Sequence, residues 1–517
     1  MQLRGDRIHR YVNAFCPHCH VEQPDRPLSG VARLSGWLAV RDGRVWLERG
    51  CPAHGLVRTL YDEDPEILAY LEEWTAPTKS HTADLAGNFD PVPGAYLRGL
   101  PEMQTQHTCI LLEDIAETCN LRCPTCFAES SPDSPNVVSV RDVLTNLDRR
   151  LERENGRLDV LMLSGGEPTL HPHLPELLAE LAARPITRIL INTNGIRIAT
   201  DDDLLDLLTE HRERVETYLQ FDGLSLVAHR HHRGGDLHRI KQDALRRLSE
   251  REVFTTLVMT VALGVNDGEI GDVINVALQT PYVGGVSIQP QFASGRSAHI
   301  DPLNRLTHTG VLKRVGPQTA GVVTWRDLTA LPCSHPHCCS IGYLMRDDSG
   351  RWRSLVALIG HDNLKDKLGL VANRIADTEL PRELRVAVRE SLLGLLSEQS
   401  SLSHPGIAEV WRTVCESCDL GMSTLLALAS SALPGQRRKL RHMLGERVVR
   451  ITVKPFMDIS TMIEERLTQC CVHVGTRASH DDQCAPFCAV QAWPALGQQR
   501  LSLSAGHPPR QITAHRS

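Results

Sequence analysis

The sequence predicts an α/β protein with a parallel sheet in its middle and a cysteine-rich segment at each end. Three observations predict it. Apolar runs of strand length alternate with helix-length amphipathic segments across the middle of the chain. The 16 cysteines fall in three groups, and residues 127–332 contain none. Three of the cysteines, in the stretch CNLRCPTC, stand just past the first apolar run of that middle.

The elements follow in order. TCILLEDI reads as a short buried strand leading into the cysteine loop. SVRDVLTNLDRRLEREN has helical periodicity behind a Ser start. Then come LDVLMLS (strand), HPHLPELLAELAAR (helix opened by Pro), ITRILINT (strand), DDDLLDLLTEHRE (Asp-capped helix) and VETYLQFDG (strand). DLHRIKQDALRRLSER (helix), FTTLVMTVAL (strand), DGEIGDVINVALQ (helix) and VGGVSIQPQ (strand) complete the series. Right-handed crossovers would curl such a sheet into a barrel or an open wound sheet. Either way, functional residues gather at the C-terminal ends of the strands.

Bulk properties exclude some classes. At 517 residues the chain is long enough for two or three domains. A net charge of -6 and only 4% aromatic residues argue against a nucleic-acid partner. No run approaches the 18 apolar residues of a membrane span, and MQLRGDRIHR has no apolar core of a secretory signal. A reducing, cytoplasmic setting is expected, where C-x2-C pairs read as metal ligands rather than disulfides.

The strand-end loops hold the candidate ligands. SGGEPTL supplies Gly165 and Gly166, which permit close backbone approach, then Glu167 and Pro168. NTNG supplies Asn192 and Asn194, and QFDG supplies Gln220 and Asp222. Asp222 also reads as a turn cap. QPQFASGR supplies Gln289, Gln291 and Arg296.

Cys119, Cys123 and Cys126 are three ligands where a closed structural site or a cubane cluster wants four. Their spacing, with GGEPTL and NTNG downstream, resembles the radical S-adenosylmethionine (SAM) superfamily. The resemblance implies a partial (β/α)6 barrel and a [4Fe–4S] cluster held by the three thiolates. Its fourth iron would be chelated by SAM, and cleavage of SAM would yield a radical that takes hydrogen from an unactivated carbon. It also implies a ferredoxin- or flavodoxin-type electron donor. The GGEP motif would meet the SAM amino group. Asn192, Asn194, Gln220 and Asp222 would lie near ribose or carboxylate, with Arg296 paired to the SAM carboxylate. The bland alternative is a zinc knuckle completed by Cys109 or a histidine. Cys109 itself reads as a buried core thiol at the start of a strand.

At the N-terminus, FCPHCHVEQ and VRDGRVWLERGCPAHG present Cys16, Cys19, Cys51 and His54. That set fits a structural zinc or mononuclear iron site, and VRDGRVWLE reads as a hairpin with Asp-Gly at its turn. The module resembles a rubredoxin or zinc ribbon. Cys109 could replace His54 as fourth ligand.

The last third holds Cys333, Cys338, Cys339, Cys415, Cys418, Cys470, Cys471, Cys484 and Cys488. These are enough for one or two auxiliary Fe–S clusters, although adjacent cysteines rarely both ligate. The expected division is a metal-ribbon module at 1–100, a radical SAM core at 101–300, an auxiliary cluster domain at 301–490 and a tail at 491–517. CPHC…CPAHG, YLQFDGL, RGGDLHRIK, PCSHPHC and FMDISTMIEERLTQCCVH…PFCA occur in this order. In that order they resemble the radical SAM group of the archaeal tetraether lipid synthase and its bacterial relatives. The resemblance implies hydrogen abstraction and C–C coupling on a lipid or other small-molecule substrate. A peptide maturase, a radical methylase and a non-catalytic scaffold are the competing readings. LGMSTLLALASSAL followed by QRRKLRHML could touch the inner membrane face peripherally, but reads first as a core helix and a solvated basic helix. HRHHR, His229 to Arg233, reads as an exposed loop, and His171 and His173 as exposed or capping residues.

Overall fold

The computed structural model describes residues 7–23, 31–74, 107–154, 156–297, 299–331, 334–366, 437–475 and 484–493. Its N-terminal sheet has four antiparallel strands, β1 (Arg7–Ala14), β2 (Leu34–Arg41), β3 (Arg44–Cys51) and β4 (Gly55–Asp62). The hairpin between β2 and β3 turns at Asp42 and Gly43, as the sequence predicts. Both have positive φ, 51° and 72°, the geometry of the two-residue turns that match strand twist.

The second sheet carries the site. Strands β5 (Ile110–Ala116), β6 (Leu158–Gly165), β7 (Ile186–Thr193), β8 (Val215–Gln220), β9 (Thr255–Val261) and β10 (Val283–Pro290) run parallel, each paired with the next. Helices link them, so the predicted alternation is present and forms a half-barrel. The strands read as continuous apolar runs because both of their faces are covered. Leu161 and Leu163 of β6 enter the cluster beneath the helices, whereas Val160 and Met162 enter the cluster inside the barrel. Truncating Leu161 to Ala would cost about 2–5 kcal/mol.

The sheet continues past residue 300. After β11 (Thr329–Ala330), β12 (Ser340–Arg346) and β13 (Trp352–Ser354) come β14 (Val448–Val453), β15 (Val472–Gly475) and β16 (Cys484–Pro486). β14 joins β10 and β15 joins β5, both in parallel. The C-terminal segment therefore extends both edges of the half-barrel, and the C-terminal end of β14 opens on the same rim as the site.

A buried carboxylate helps to hold the ribbon to the core. Asp62 Oδ1, fully buried, accepts from the backbone N–H and hydroxyl of Thr309, at 2.9 and 2.6 Å. Leu60 N–H donates to the Pro302 carbonyl at 2.8 Å.

Two local expectations need correction. HRHHR is not an exposed loop: it ends the helix Leu226–Arg233, with His229 and His232 buried. Ser225 caps its start and Gly234, at φ 78°, closes its end. The dense charge hid a helix whose inner face is imidazole. His171 is buried too, its Nε2 2.8 Å from the Val138 carbonyl oxygen. No helix among the described residues is long and apolar enough to cross a membrane. The stretch 420–433 lies outside the described residues. The basic helix after it, Arg437–Arg447, buries Arg441 over the Phe254 ring, where it pairs with Glu213.

Candidate functional site

The three cysteines follow β5 on a loop that the neighbouring rim loops hold from several sides. The two glycines of GGEP serve this loop. Gly166 N–H donates to the Ala116 carbonyl at 2.6 Å, and Glu167 N–H to that of Thr118 at 2.8 Å. A Cβ on Gly166 would stand 2.0 Å from the Thr118 oxygen, and one on Gly165 2.2 Å from that of Ala116. The close approach that glycine permits here is to the cysteine loop's own backbone.

Glu167 is 2 % exposed and spends its carboxylate inside the protein. Oε1 accepts from the hydroxyls of Thr169 and Thr193 at 2.7 and 2.8 Å, and Oε2 from Asn194 N–H at 2.7 Å. It ties the β6 loop to the β7 loop, and Pro168 begins the short turn that shapes it. Asn194 in turn donates from its amide to Asn120 of the cysteine loop at 2.6 Å. Beneath it, the buried Lys241 ammonium donates to the Asn194 carbonyl, and burial pushes that ammonium down to about 7.

A second chain of contacts crosses the rim. Asn192 Oδ1 accepts from Gln220 at 2.7 Å, and Gln220 Oε1 accepts from Arg233 at 2.8 Å. Arg233 grips Asp222 through two nitrogens, at 2.6 and 2.7 Å. Burial opposes ionisation of Asp222, but the guanidinium outweighs it and holds the carboxyl well below its usual range. Arg233 Nη1 lies 4.0 Å from Cys123 Sγ. The helix that ends in Arg233 also meets the loop at Thr125, whose hydroxyl lies 3.1 Å from His232 Nδ1. Sequence reasoning missed Arg233. The Ser225 cap and the Gly234 stop, nine residues apart, were the available signal.

Arg296 sits elsewhere than the resemblance suggested. Its Nε donates to the Cys123 carbonyl at 2.7 Å and its Nη2 to that of Ser130 at 2.8 Å. A Cβ on Gly295 would stand 2.6 Å from the Cys126 oxygen. The Ser-Gly-Arg turn is a brace for the loop.

Around these groups lies a cavity of about 1270 Å³ including its open mouth. Cys119, Cys123 and Cys126 line it, with Gly165, Gly166 and Glu167, the amides Asn192, Asn194 and Gln220, and Arg233. Asp222 and Arg296 are not on its wall. A loop held by its neighbours, three thiols on one wall and room beside them fit a cluster with an open iron and the SAM that binds it.

The N-terminal set converges. Cys16, Cys19, Cys51 and His54 bring their ligand atoms within 4.8 Å of one another. The three sulfurs lie 3.6, 3.4 and 3.5 Å from His54 Nδ1. A tetrahedral zinc with bonds of about 2.3 Å to sulfur and 2.0 Å to nitrogen wants about 3.5 Å there. Glu22 accepts from the other ring nitrogen at 2.9 Å and fixes the ring. The residue that completes this set is His54, not Cys109. Cys109 is a core thiol 3.1 Å from His107 Nε2.

Cys338, Cys470 and Cys488 interact electrostatically with one another, and the Nε of the buried Arg466 lies 3.3 Å from Cys338 Sγ. Cys471 packs in the apolar cluster inside the barrel, and Cys339 Sγ turns to the Ser340 carbonyl. Cys333, Cys415, Cys418 and the Cys484 side chain lie outside the described residues.

Residues 115–277 match the Radical SAM superfamily, and residues 8–63 match the HMPTM N-terminal zinc ribbon domain. Along its length the chain is similar to the 7,8-dihydro-6-hydroxymethylpterin dimethyltransferase of Methanocaldococcus jannaschii. The identity is 25% over 508 residues, covering 92% of each chain. It is also 30% identical over 173 residues to the GTP 3',8-cyclase of Syntrophomonas wolfei, spanning 32% of this chain and 51% of that one. Among solved structures, Streptococcus suis SuiB overlays with a TM-score of 0.35 at 12% identity, covering 55% of this chain and 67% of that one. With the cysteine loop, the GGEP brace and the ribbon's metal set in place, the chain carries a radical SAM domain over residues 115–277, which implies a [4Fe–4S] cluster and SAM, behind an N-terminal zinc ribbon domain.

Proposed function

We propose that the enzyme is a methyltransferase acting on a small planar heterocycle of the dihydropterin kind. One observation carries this reading: the similarity to the pterin dimethyltransferase extends through 92% of each chain. The cavity supports it. Amides, the Tyr218 hydroxyl and an ammonium share its wall with four phenylalanines, a mixture that suits a planar ring with polar edges. The lipid-coupling reading drawn from motif order therefore gives way to the methylase reading, with hydrogen abstraction from carbon retained. A peripheral membrane contact has no further support.

The residues take these roles. Cys119, Cys123 and Cys126 hold the cluster, which when bound supplies the electron that cleaves SAM. Gly165, Gly166, Glu167 and Pro168 set the backbone that meets the SAM amino group. Asn192, Asn194 and Gln220 offer amides to its ribose and carboxylate. Asp222 acts through Arg233, and Arg296 through the loop carbonyls. Cys338, Cys470 and Cys488 hold an auxiliary cluster. No carboxylate among the described residues pairs with the buried Arg466, and thiolates on a metal would supply the negative charge it requires. A ferredoxin- or flavodoxin-type donor delivers electrons.

The test is anaerobic turnover of reconstituted protein with methyl-deuterated SAM, a chemical reductant and 7,8-dihydro-6-hydroxymethylpterin. Mass spectrometry should show 5′-deoxyadenosine and a pterin carrying the deuterated methyl. Deoxyadenosine without a methylated heterocycle would remove the methyl-transfer reading and keep the radical chemistry.

A further inference from the structure

The cavity wall has a feature that neither the cluster nor SAM explains. Phe127, Phe292, Phe456 and Phe487 all line it, four of the chain's eight phenylalanines. Their rings form one group: Phe456 and Phe487 lie 4.6 Å apart, Phe127 and Phe487 5.5 Å, and Phe292 and Phe456 5.6 Å. They come from three segments distant in sequence, the cysteine loop, the loop after β10 and the C-terminal segment. An aromatic wall assembled this way offers a planar ring its preferred offset or edge contacts.

Lys454 stands at the same cavity, one residue past β14. Its backbone N–H is held by the Ile288 carbonyl at 2.9 Å, which fixes the stem at the rim. Its ammonium lies 5.6 Å from the centre of the Tyr218 ring and has no hydrogen bond or ion pair among the described residues. The other charged side chains on the cavity wall are satisfied: Glu167 by hydroxyls and a backbone N–H, Arg233 by Asp222. Tyr218 is committed through its hydroxyl to Ser287 at 2.6 Å. The cavity thus has one positive charge without an internal partner, beside the aromatic wall.

We infer that Lys454 and the phenylalanine wall form the substrate subsite, and that its ligand is a planar heterocycle bearing a negatively charged oxygen. The ring lies against the phenylalanines and the anionic oxygen meets the ammonium. This inference rests on the heterocycle reading of the reaction and adds the charge of the substrate. The anionic oxygen could belong to a phosphate ester or to an ionised ring lactam, and the test separates the two.

Reconstituted holoenzyme, wild type and the variants Lys454→Met and Lys454→Arg, is titrated anaerobically with three probes: 7,8-dihydro-6-hydroxymethylpterin, its phosphate monoester and GTP. SAM affinity is measured in parallel. The expected result is that Lys454→Met weakens the preferred probe by about tenfold to a hundredfold, the value of a hydrogen bond to a charged group. Lys454→Arg should retain most of the affinity, and SAM affinity should not change. A preference for the monoester that disappears in Lys454→Met assigns the phosphate. Equal loss for ester and free alcohol assigns the lactam. Probe binding that is indifferent to Lys454→Met overturns the inference and leaves the methyltransferase reading standing. A parallel loss of SAM affinity also overturns it, because the ammonium then serves SAM. Binding of GTP alone, dependent on Lys454, keeps the inference and discards the dihydropterin reading. Wild-type protein that binds none of the three overturns both.

Discussion

Arg233 holds Asp222 with two nitrogens and presents the third to Cys123, 4.0 Å from its sulfur. A buried ion pair thus ends at one of the three thiols proposed to hold the cluster. A positive charge beside a cluster stabilises its reduced, more negative state, and the carboxylate partly offsets that effect. Arg233→Met should move the cluster midpoint to more negative potential, and Asp222→Asn should move it the other way. A redox titration followed by electron paramagnetic resonance reads both directions. Arg233→Met also leaves Asp222 buried and unpaired, at about 3–5 kcal/mol of stability. Thermal melts of the two variants check that cost.

Gly166 tests the brace. A Cβ there collides with the carbonyl oxygens of Thr118 and Glu117, at 2.0 and 2.7 Å. Backbone cannot swing aside as a side chain can, so Gly166→Ala should displace the cysteine loop and lower the iron bound after reconstitution. Gly235→Ala meets no atom within 4 Å and should bind iron like wild type.

The ribbon's metal can be removed on its own. Cys19→Ser or His54→Ala should cost about one zinc per chain, by elemental analysis, and leave the iron of the SAM cluster in place. The ribbon docks on the core through Asp62 and Leu60. The melting temperature should therefore fall as well, because metal-binding energy is folding energy in such modules.

The C-terminal thiols divide into two sets. Cys338→Ala, Cys470→Ala and Cys488→Ala should each remove about four irons per chain, the content of a cubane cluster. Cys339→Ala and Cys471→Ala, the adjacent partners, should leave the iron content unchanged. Iron content unaffected by all five would remove the auxiliary cluster.

Ser139 caps the helix Val140–Arg153, its hydroxyl accepting from Asp142 N–H at 3.1 Å. Ser139→Ala should cost about 1 kcal/mol in chemical denaturation without affecting SAM cleavage.

Much of the fold was legible because its signals are local. Each parallel strand is apolar on both faces, each helix has one apolar stripe, and the Asp42–Gly43 turn needs only two residues to declare itself. CNLRCPTC and GGEPTL are contiguous, so the chemistry they serve could be read from them directly. The same holds for Cys16, Cys19, Cys51 and His54, where two short pairs are joined by one hairpin.

What the tertiary structure decided is where each polar group spends its bonds. Gly165 and Gly166 could have approached a ligand, but they approach Ala116 and Thr118. Glu167 and Arg296 could have faced SAM, but folding gives their charges to Thr193, Asn194 and the loop carbonyls. Arg233, hidden in a run that looked solvated, came to lie 4.0 Å from the Cys123 sulfur. Lys454 comes from a strand some 330 residues after the cysteine loop, and no local pattern marks it as part of the rim. By itself the sequence determined the alternating parallel sheet, the three-cysteine motif and the ribbon's cysteine pairs, because periodicity and ligand spacing are properties of neighbours along the chain. The partners of buried charges are neighbours in space, so only the tertiary structure could assign them.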